Sequence, residues 1–379
     1  MNSNNLPLVK SIEFYSSKKR DKNLRKSIES AIAKVLNDGN YIKGKYLEDF
    51  EHNFSRYVGA KYAVGVGNGY DGLRSSLLAL EIKPGDEVIF PVHTYSATWM
   101  SILSVGASPI GCDIDLDSGN MLVTDFENKI TKKTRAVIVV HMHGTPADIV
   151  KIVDIARKHN LKIIEDCAQA HGAKFLGQHV GTFGDLGVFS FYPTKNLGGL
   201  GDGGIVVSNS KILKTRINQL GNYGRNEKNK QKFEILGYNS RLDPIQAAVL
   251  NEFLPYLDKW NDVRKSIAMK YKESILENNN FEFIPRDNYS TNSVWHHFVV
   301  LVKHRTKFIK YMKAKGINTD IHYEIPSHRQ PSFPVNKNKK LIFPNVDKIY
   351  KEMVSLPMHP WLGDEEVIYI SKVLRNYKS

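Results

Sequence analysis

The chain has 379 residues, 41% of them hydrophobic and 24% charged, with 53 Lys plus Arg against 39 Asp plus Glu and two cysteines. This composition describes a folded globular protein large enough for two domains, and it excludes disordered, collagen-like and disulfide-scaffold classes. No apolar run approaches the ~18–20 residues that span a bilayer, and the opening residues lack the apolar core of a secretory signal. A cytoplasmic, reduced protein without a membrane partner is therefore expected.

The elements follow in chain order. YAVGV (62–66) reads as a strand and GLRSSLLAL (72–80) as a helix; DEVIFPV (86–92) is a strand, TWMSILSVG (98–106) a helix and SPIGCDI (108–114) a strand. RAVIVVHMHG (135–144) continues the series, then the helix IVKIVDIARKHN and the strand LKIIED (161–166). GVFSFYP (187–193) and GGIVVSN (203–209) flank a Gly-rich loop, and one long helix is expected over 244–276. Alternation of short apolar runs with amphipathic stretches marks an α/β architecture with a mostly parallel sheet. Beyond the long helix, the strand HHFVVLV, the helix RTKFIKYMKAKG, the strand INTDIHY and the closing helix GDEEVIYISKVLRNY suggest a smaller α+β unit. The expected division is 1–255 and 256–379.

Charge narrows the partner. The net charge is +14, and 25 basic residues stand against 13 acidic ones between 211 and 350. Nucleic-acid binding needs such charge in an arm, a stripe or a recognition helix; here it is dispersed among Asn and Glu. A solvated Lys-rich surface or a small polyanionic substrate fits better.

Three segments carry chemistry. Gly67-Asn-Gly69-Tyr70-Asp-Gly72 matches G-x-G-x-x-G between a strand and a helix, where amides and the helix dipole favour a phosphate. The ribose-binding acid of a dinucleotide site is missing from the end of the next strand, which reads Phe90-Pro91-Val92-His93. A phosphate site without a ribose clamp, or a plain tight turn, remains. The run from Phe189 to Gly204 places its glycines after Lys195, whereas a triphosphate loop has them before the lysine. A partly desolvated lysine there has a nucleophilic amine suited to an aldehyde. Asp166 closes a buried strand, and a buried carboxylate needs a cation; the protonated ring nitrogen of pyridoxal phosphate is one. A metal site from His141 and His143, with Asp166 and His171 in reserve, is the competing idea but lacks a defined ligand spacing.

Together, phosphate turn, strand-end Asp and loop Lys in this order make the sequence resemble the pyridoxal-phosphate sugar aminotransferases of the DegT/StrS type. The matching segments are NGYDGLR (68–74), PVHTYSATW (91–99), EDCAQAHGA (165–173), FSFYPTKNLGGLGDGG (189–204), GYNSRLDPIQAA (237–248), GINTDIHY (316–323) and LPMHP (356–360). The resemblance implies an aspartate-aminotransferase-like fold and a set of roles. Lys195 would bind the cofactor aldehyde and then shuttle protons, Asp166 would pair with the ring nitrogen, and Gln169 would meet the ring 3-hydroxyl. Tyr95 would stack on the ring, while the Gly69 and Tyr70 amides and the Ser190 hydroxyl would hold the phosphate. Asn239 would reach the phosphate of a neighbouring subunit, making a homodimer the functional unit. Tyr192, His322 and Tyr323 would face the sugar.

The pattern departs from the family where His143 replaces Tyr and Gly203 replaces Ala. Lys195 argues against the branch that carries His there and dehydrates sugars. YPTKNLG resembles enzymes that aminate carbon 3 of a dTDP-linked keto-6-deoxyhexose with L-glutamate as donor, for surface-polysaccharide (lipopolysaccharide or O-antigen) or antibiotic sugars. The alternatives are carbon 4 amination and a cofactor-holding or nucleic-acid-binding regulator without turnover.

Overall fold

The computed structural model describes residues 11–16, 22–226, 228–229, 231–276, 278–286, 292–334 and 341–378. The expectation drawn from the opening residues lies partly outside them, since 1–10 and 17–21 are not described. Among the described residues no helix is long and apolar enough to cross a membrane.

Two amphipathic helices come first. Lys22–Asp38 buries Leu24, Ile28, Ala31 and Val35, and Lys45–Val58 buries Leu47, Phe50, Phe54 and Val58. Both sets recur every three or four residues, which lines one helix face. The strands are then β1 (Tyr62–Val66), β2 (Glu87–Pro91), β3 (Ser108–Cys112), β4 (Thr134–Val140), β5 (Lys162–Asp166), the short hairpin β6 and β7 (Lys174–Phe175 and Gln178–His179), β8 (Leu186–Ser190) and β9 (Gly204–Ser208). Seven of them form one sheet in the order β1-β9-β8-β5-β4-β2-β3, with β9 antiparallel to both neighbours and every other pair parallel. The strands are covered on both faces, one by Leu73, Leu77, Trp99 and Ile102, the other by Phe50, Phe54, Phe253 and the helix Ile149–Lys158. Burial on both faces explains why they read as continuous apolar runs.

Because β1, β2, β4, β5 and β8 all point the same way, their C-terminal ends meet at one edge of the sheet. The turn at Gly67, the His93–Tyr95 loop, His141–His143, Asp166 and Ser190 all lie there. In open α/β sheets this edge is where ligands bind.

The expected long helix is two helices, Pro244–Phe253 and Leu257–Leu276, joined by a 3-10 turn at Leu254–Tyr256. Pro255 has no amide hydrogen to continue the ladder, so the break falls there. A second sheet, β10 (Phe281–Ile284), β11 (Phe298–Val302) and β12 (Met353–Leu356), is antiparallel throughout. INTDIHY is not a strand. Its Ile317 makes an isolated bridge to Ile12 and its Asp320 one to Ser355, while β12 takes the place beside β11. Ile12 thereby joins the core of this second sheet.

Candidate active site

At the end of β1, Asn68 caps the helix Gly69–Ala79: its side-chain oxygen accepts from the Asp71 amide at 2.8 Å. Gly72 N–H already bonds Asn68 O at 3.1 Å. The amides of Gly69 and Tyr70, the first two of the helix, are left for another acceptor, as helix geometry requires. Gly69 lies against Ser190, and a Cβ on it would stand 2.9 Å from the Ser190 Cβ. The turn at Gly67–Gly72 and the start of the lysine loop therefore lie against each other.

Lys195 follows a turn closed by its own amide to Tyr192 O at 2.8 Å. Burial lowers its pKa to about 8, against an opposing pull from the Asp166 charge. A lysine so placed is neutral for a useful fraction of the time near neutral pH, the state in which an amine attacks an aldehyde. Asp166 is buried at the end of β5; its Oδ2 accepts from Thr98 Oγ1 at 2.9 Å and its Oδ1 from the Ala168 amide at 3.2 Å. Burial raises its pKa despite those bonds and the Lys195 charge. The carboxylate thus lacks a full counter-charge, and a cationic ring nitrogen would supply one.

Gln169 is held at both ends: Oε1 accepts from the His143 amide at 2.7 Å, and Nε2 donates to Tyr323 Oη at 3.1 Å. The Tyr323 ring lies 5.4 Å from that of Tyr95, which is 58% exposed. His322 bonds Ser355 Oγ through Nδ1 at 3.0 Å, and the Lys195 charge helps lower its pKa to about 4, burial being the larger cause. Tyr192 is exposed, with its amide on Ser190 Oγ at 3.3 Å. So Lys195, Asp166, Gln169, Tyr95, His322 and Tyr323 gather at one place, with Gly69, Tyr70, Ser190 and Tyr192 at its flank. Asn239 does not join them. It sits on an exposed loop, bridged to Asn222.

His141 and His143 do not face one ligand. His141 Nδ1 accepts from the Ala147 amide at 3.1 Å, which leaves Nε2 to donate to Glu165 at 3.1 Å. Glu165 also accepts from the amides of Gly181, Phe183 and Gly184, so this group, with Cys167 beside it, is hydrogen-bonded rather than open to an ion. His143 has φ 58° and turns away, placing Nδ1 3.2 Å from Nδ1 of His297. Two facing ring nitrogens hold one proton between them, and burial keeps both rings neutral. Thr98, His297 and the Asn196–His296 contact at 3.0 Å were missed by sequence reasoning. Thr98 alone carried a signal, standing one helical turn after Tyr95.

The residues thus fit an aldehyde-bearing, phosphorylated pyridine: an amine of lowered pKa, an undercompensated carboxylate and a pair of helix amides. Comparison with known proteins agrees. The profile of the DegT/DnrJ/EryC1/StrS aminotransferase family matches residues 22–375, and the chain belongs to that family. It is an aminotransferase with the aspartate-aminotransferase-like fold and pyridoxal phosphate as cofactor. The dTDP-3-amino-3,6-dideoxy-alpha-D-galactopyranose transaminase of Aneurinibacillus thermoaerophilus is 43% identical over 97% of this chain and 99% of its own length. The X-ray structure of S. venezuelae DesV in complex with a ketimine intermediate superposes with a TM-score of 0.91 at 37% identity, covering 96% of this chain and 98% of that one. A Bacillus subtilis protein, NtdA, solved with bound PMP, gives a TM-score of 0.90 at 29% identity over 96% and 84%.

Proposed function

We propose that the protein transfers the amino group of L-glutamate to carbon 3 of a keto-6-deoxyhexose carried on a nucleoside diphosphate, dTDP in the first instance. The supply of surface-polysaccharide or antibiotic sugars is the role this suits. The observation that carries the reading is the meeting of a lowered-pKa lysine with a buried, undercompensated carboxylate above a free helix N-terminus. The A. thermoaerophilus relative, named for a 3-amino dTDP sugar, supports the choice of carbon and nucleotide.

When bound, the cofactor supplies an aldehyde and an electron-accepting ring. Lys195 is assigned the covalent link and, once released, the movement of protons at its Nζ. Asp166 holds the ring nitrogen in its charged form, with Thr98 fixing the carboxylate. Gln169 is assigned to the ring hydroxyl, Tyr95 to the ring face, and the Gly69 and Tyr70 amides with the Ser190 hydroxyl to the phosphate. Tyr192, His322 and Tyr323 line the sugar side.

The same reading makes the protein a cytoplasmic homodimer, with 1–255 as the cofactor unit and 256–379 as the smaller one. Asn239 is exposed on a loop that also presents Leu236, 95% exposed, and Phe233, 57% exposed. Clustered exposed apolar side chains mark a surface that another chain covers, and Asn239 would then reach the partner's phosphate.

The test offers the 3-keto and 4-keto nucleotide sugars separately, with glutamate, and locates the new C–N bond by NMR. Turnover of the 3-keto isomer is expected; efficient turnover of the 4-keto isomer alone would move the reaction to carbon 4. No amine transfer to either sugar would reject the substrate class.

A further inference from the structure

The short N-terminal segment 11–16 ties the turn before Lys195 to the second sheet. Its Ile12 is 1% exposed in the core of the second sheet, with backbone bonds to Gly316 O at 2.8 Å and from the Asn318 amide at 3.0 Å. Three residues on, the Tyr15 hydroxyl donates to the carbonyl of Pro193 at 2.6 Å. Between them the Phe14 ring stacks on His322, with centroids 5.4 Å apart and planes at 26°. The Tyr15 ring meets His359 and Trp361 edge-on, at 5.9 and 6.1 Å.

Pro193 stands inside the turn that presents Lys195, and this turn has no slack: a Cβ on Gly198 would lie 2.3 Å from the same Pro193 oxygen. A proline contributes no amide hydrogen, so the carbonyl is the only backbone polar group through which this position can be tied. Tyr15 ties it to a segment anchored in the other sheet. The geometry points to Tyr15 as a positioning residue for Lys195, a strap that fixes the lysine turn against the smaller unit. The inference rests on the reading of Lys195 as the lysine that links the cofactor.

Lys195 is half-buried, and loosening the turn lets more water reach it and lets its nitrogen wander. The first favours the protonated form of the linkage, and the second costs rate, since a misplacement of about 1 Å can cost ~10². Tyr15→Phe keeps the ring against His359 and Trp361 and removes only the donor. The experiment uses the cofactor-loaded enzyme. Parent and variant are titrated by the absorbance of the cofactor–lysine linkage, their kcat and sugar KM are measured, and the linkage is trapped with borohydride and mapped.

The midpoint is expected to rise by about half a unit or more, and kcat to fall about tenfold with KM changed less than threefold, while the melting temperature stays within about 2 °C. An unmoved midpoint with kcat within twofold overturns the proposal. So does a loss of activity that follows a lowered melting temperature with the midpoint unmoved, because Tyr15 would then be a packing residue. Mapping separates the two readings. Trapping on a lysine other than 195 rejects the site itself, whereas trapping on Lys195 with an unmoved midpoint rejects the strap alone.

Discussion

Asp166 and Lys195 oppose each other in a way that two substitutions can separate. Removing a buried charge from its partner costs roughly 3–5 kcal/mol, so Asp166→Ala should lose about two to four decades in kcat. Its cofactor should stay bound through the phosphate. Steady-state kinetics beside a cofactor absorbance measurement checks both, and near-parental turnover would reject the ion-pair role. Thr98→Val takes away one hydrogen bond to a charged oxygen, worth about 1.5–3 kcal/mol, and should cost about one to two decades in the same assay. Lys195 makes a separate statement about stability. Its pKa falls to about 8 from an ordinary value of ~10.4, so between those values the unfolded chain holds a proton that the folded chain does not. The Lys195 contribution to the stability of the cofactor-free protein should therefore rise with pH from about 8 to 10, against the opposite contribution of the Cys112 and Cys167 thiols, whose pKa burial raises, and below 8 the burial of Lys195 is a cost of at most about 3 kcal/mol. Chemical denaturation of the parent and of Lys195→Met across that range should show a stability difference that moves in the parent's favour as pH rises; a constant difference would reject the shift.

The helix Gly69–Ala79 carries the phosphate turn, and its fit against the sheet is tight. A Cβ on Gly72 would come within 2.6 Å of Val188 Cγ1 and 3.4 Å of Val206 Cγ2. Gly72→Val should lower stability by about 1–3 kcal/mol and, by lifting the helix start, speed loss of cofactor on dialysis; retention equal to the parent would show that the turn adjusts independently. At this scale the sequence was informative where the signal is local. The seven strands of the large sheet are apolar runs, each legible to within a residue at its start, but β4 and β8 end at Val140 and Ser190, short of the 135–144 and 187–193 expected, and the hairpin β6 and β7 gave no apolar run to read. Asp166 and Lys195 stood out only together with the turn at Gly67–Gly72, because a strand-end acid and a loop lysine are each ordinary alone; the fold brings the two close enough for their charges to act on each other. INTDIHY misled because Ile317, Thr319 and Ile321 alternate as a strand would, yet pairing with β11 went to Met353–Leu356, a choice made by distant partners. The first two helices went unread although Leu24, Ile28, Ala31 and Val35 keep helical spacing. No spacing rule brings His143 to His297, 154 positions away.

Across the whole molecule, the proposed sharing of sites between subunits has a direct consequence. An inactive Lys195→Ala protein mixed with an Asn239→Ala protein should regain activity, because one site per heterodimer recovers both groups. Heterodimers demonstrated by mass and yet inactive would place the two residues in the same chain's site. The sheet edge has a consequence of a different kind. Asn68, Thr98, Gln169, Lys195 and Tyr323 come from five separate stretches, and they meet only when the seven-stranded sheet holding β1, β2, β5 and β8 has formed and the later sheet has docked. Cofactor capture should then report on assembly of the large sheet. A chain interrupted before Lys195 emerges should not form the lysine linkage to the vitamin-derived ligand, whereas one interrupted just before Tyr323 lacks, of these five groups, only one assigned to the sugar. During refolding, yellow colour should therefore return with the phase that forms the large sheet, as absorbance followed beside far-UV circular dichroism would show.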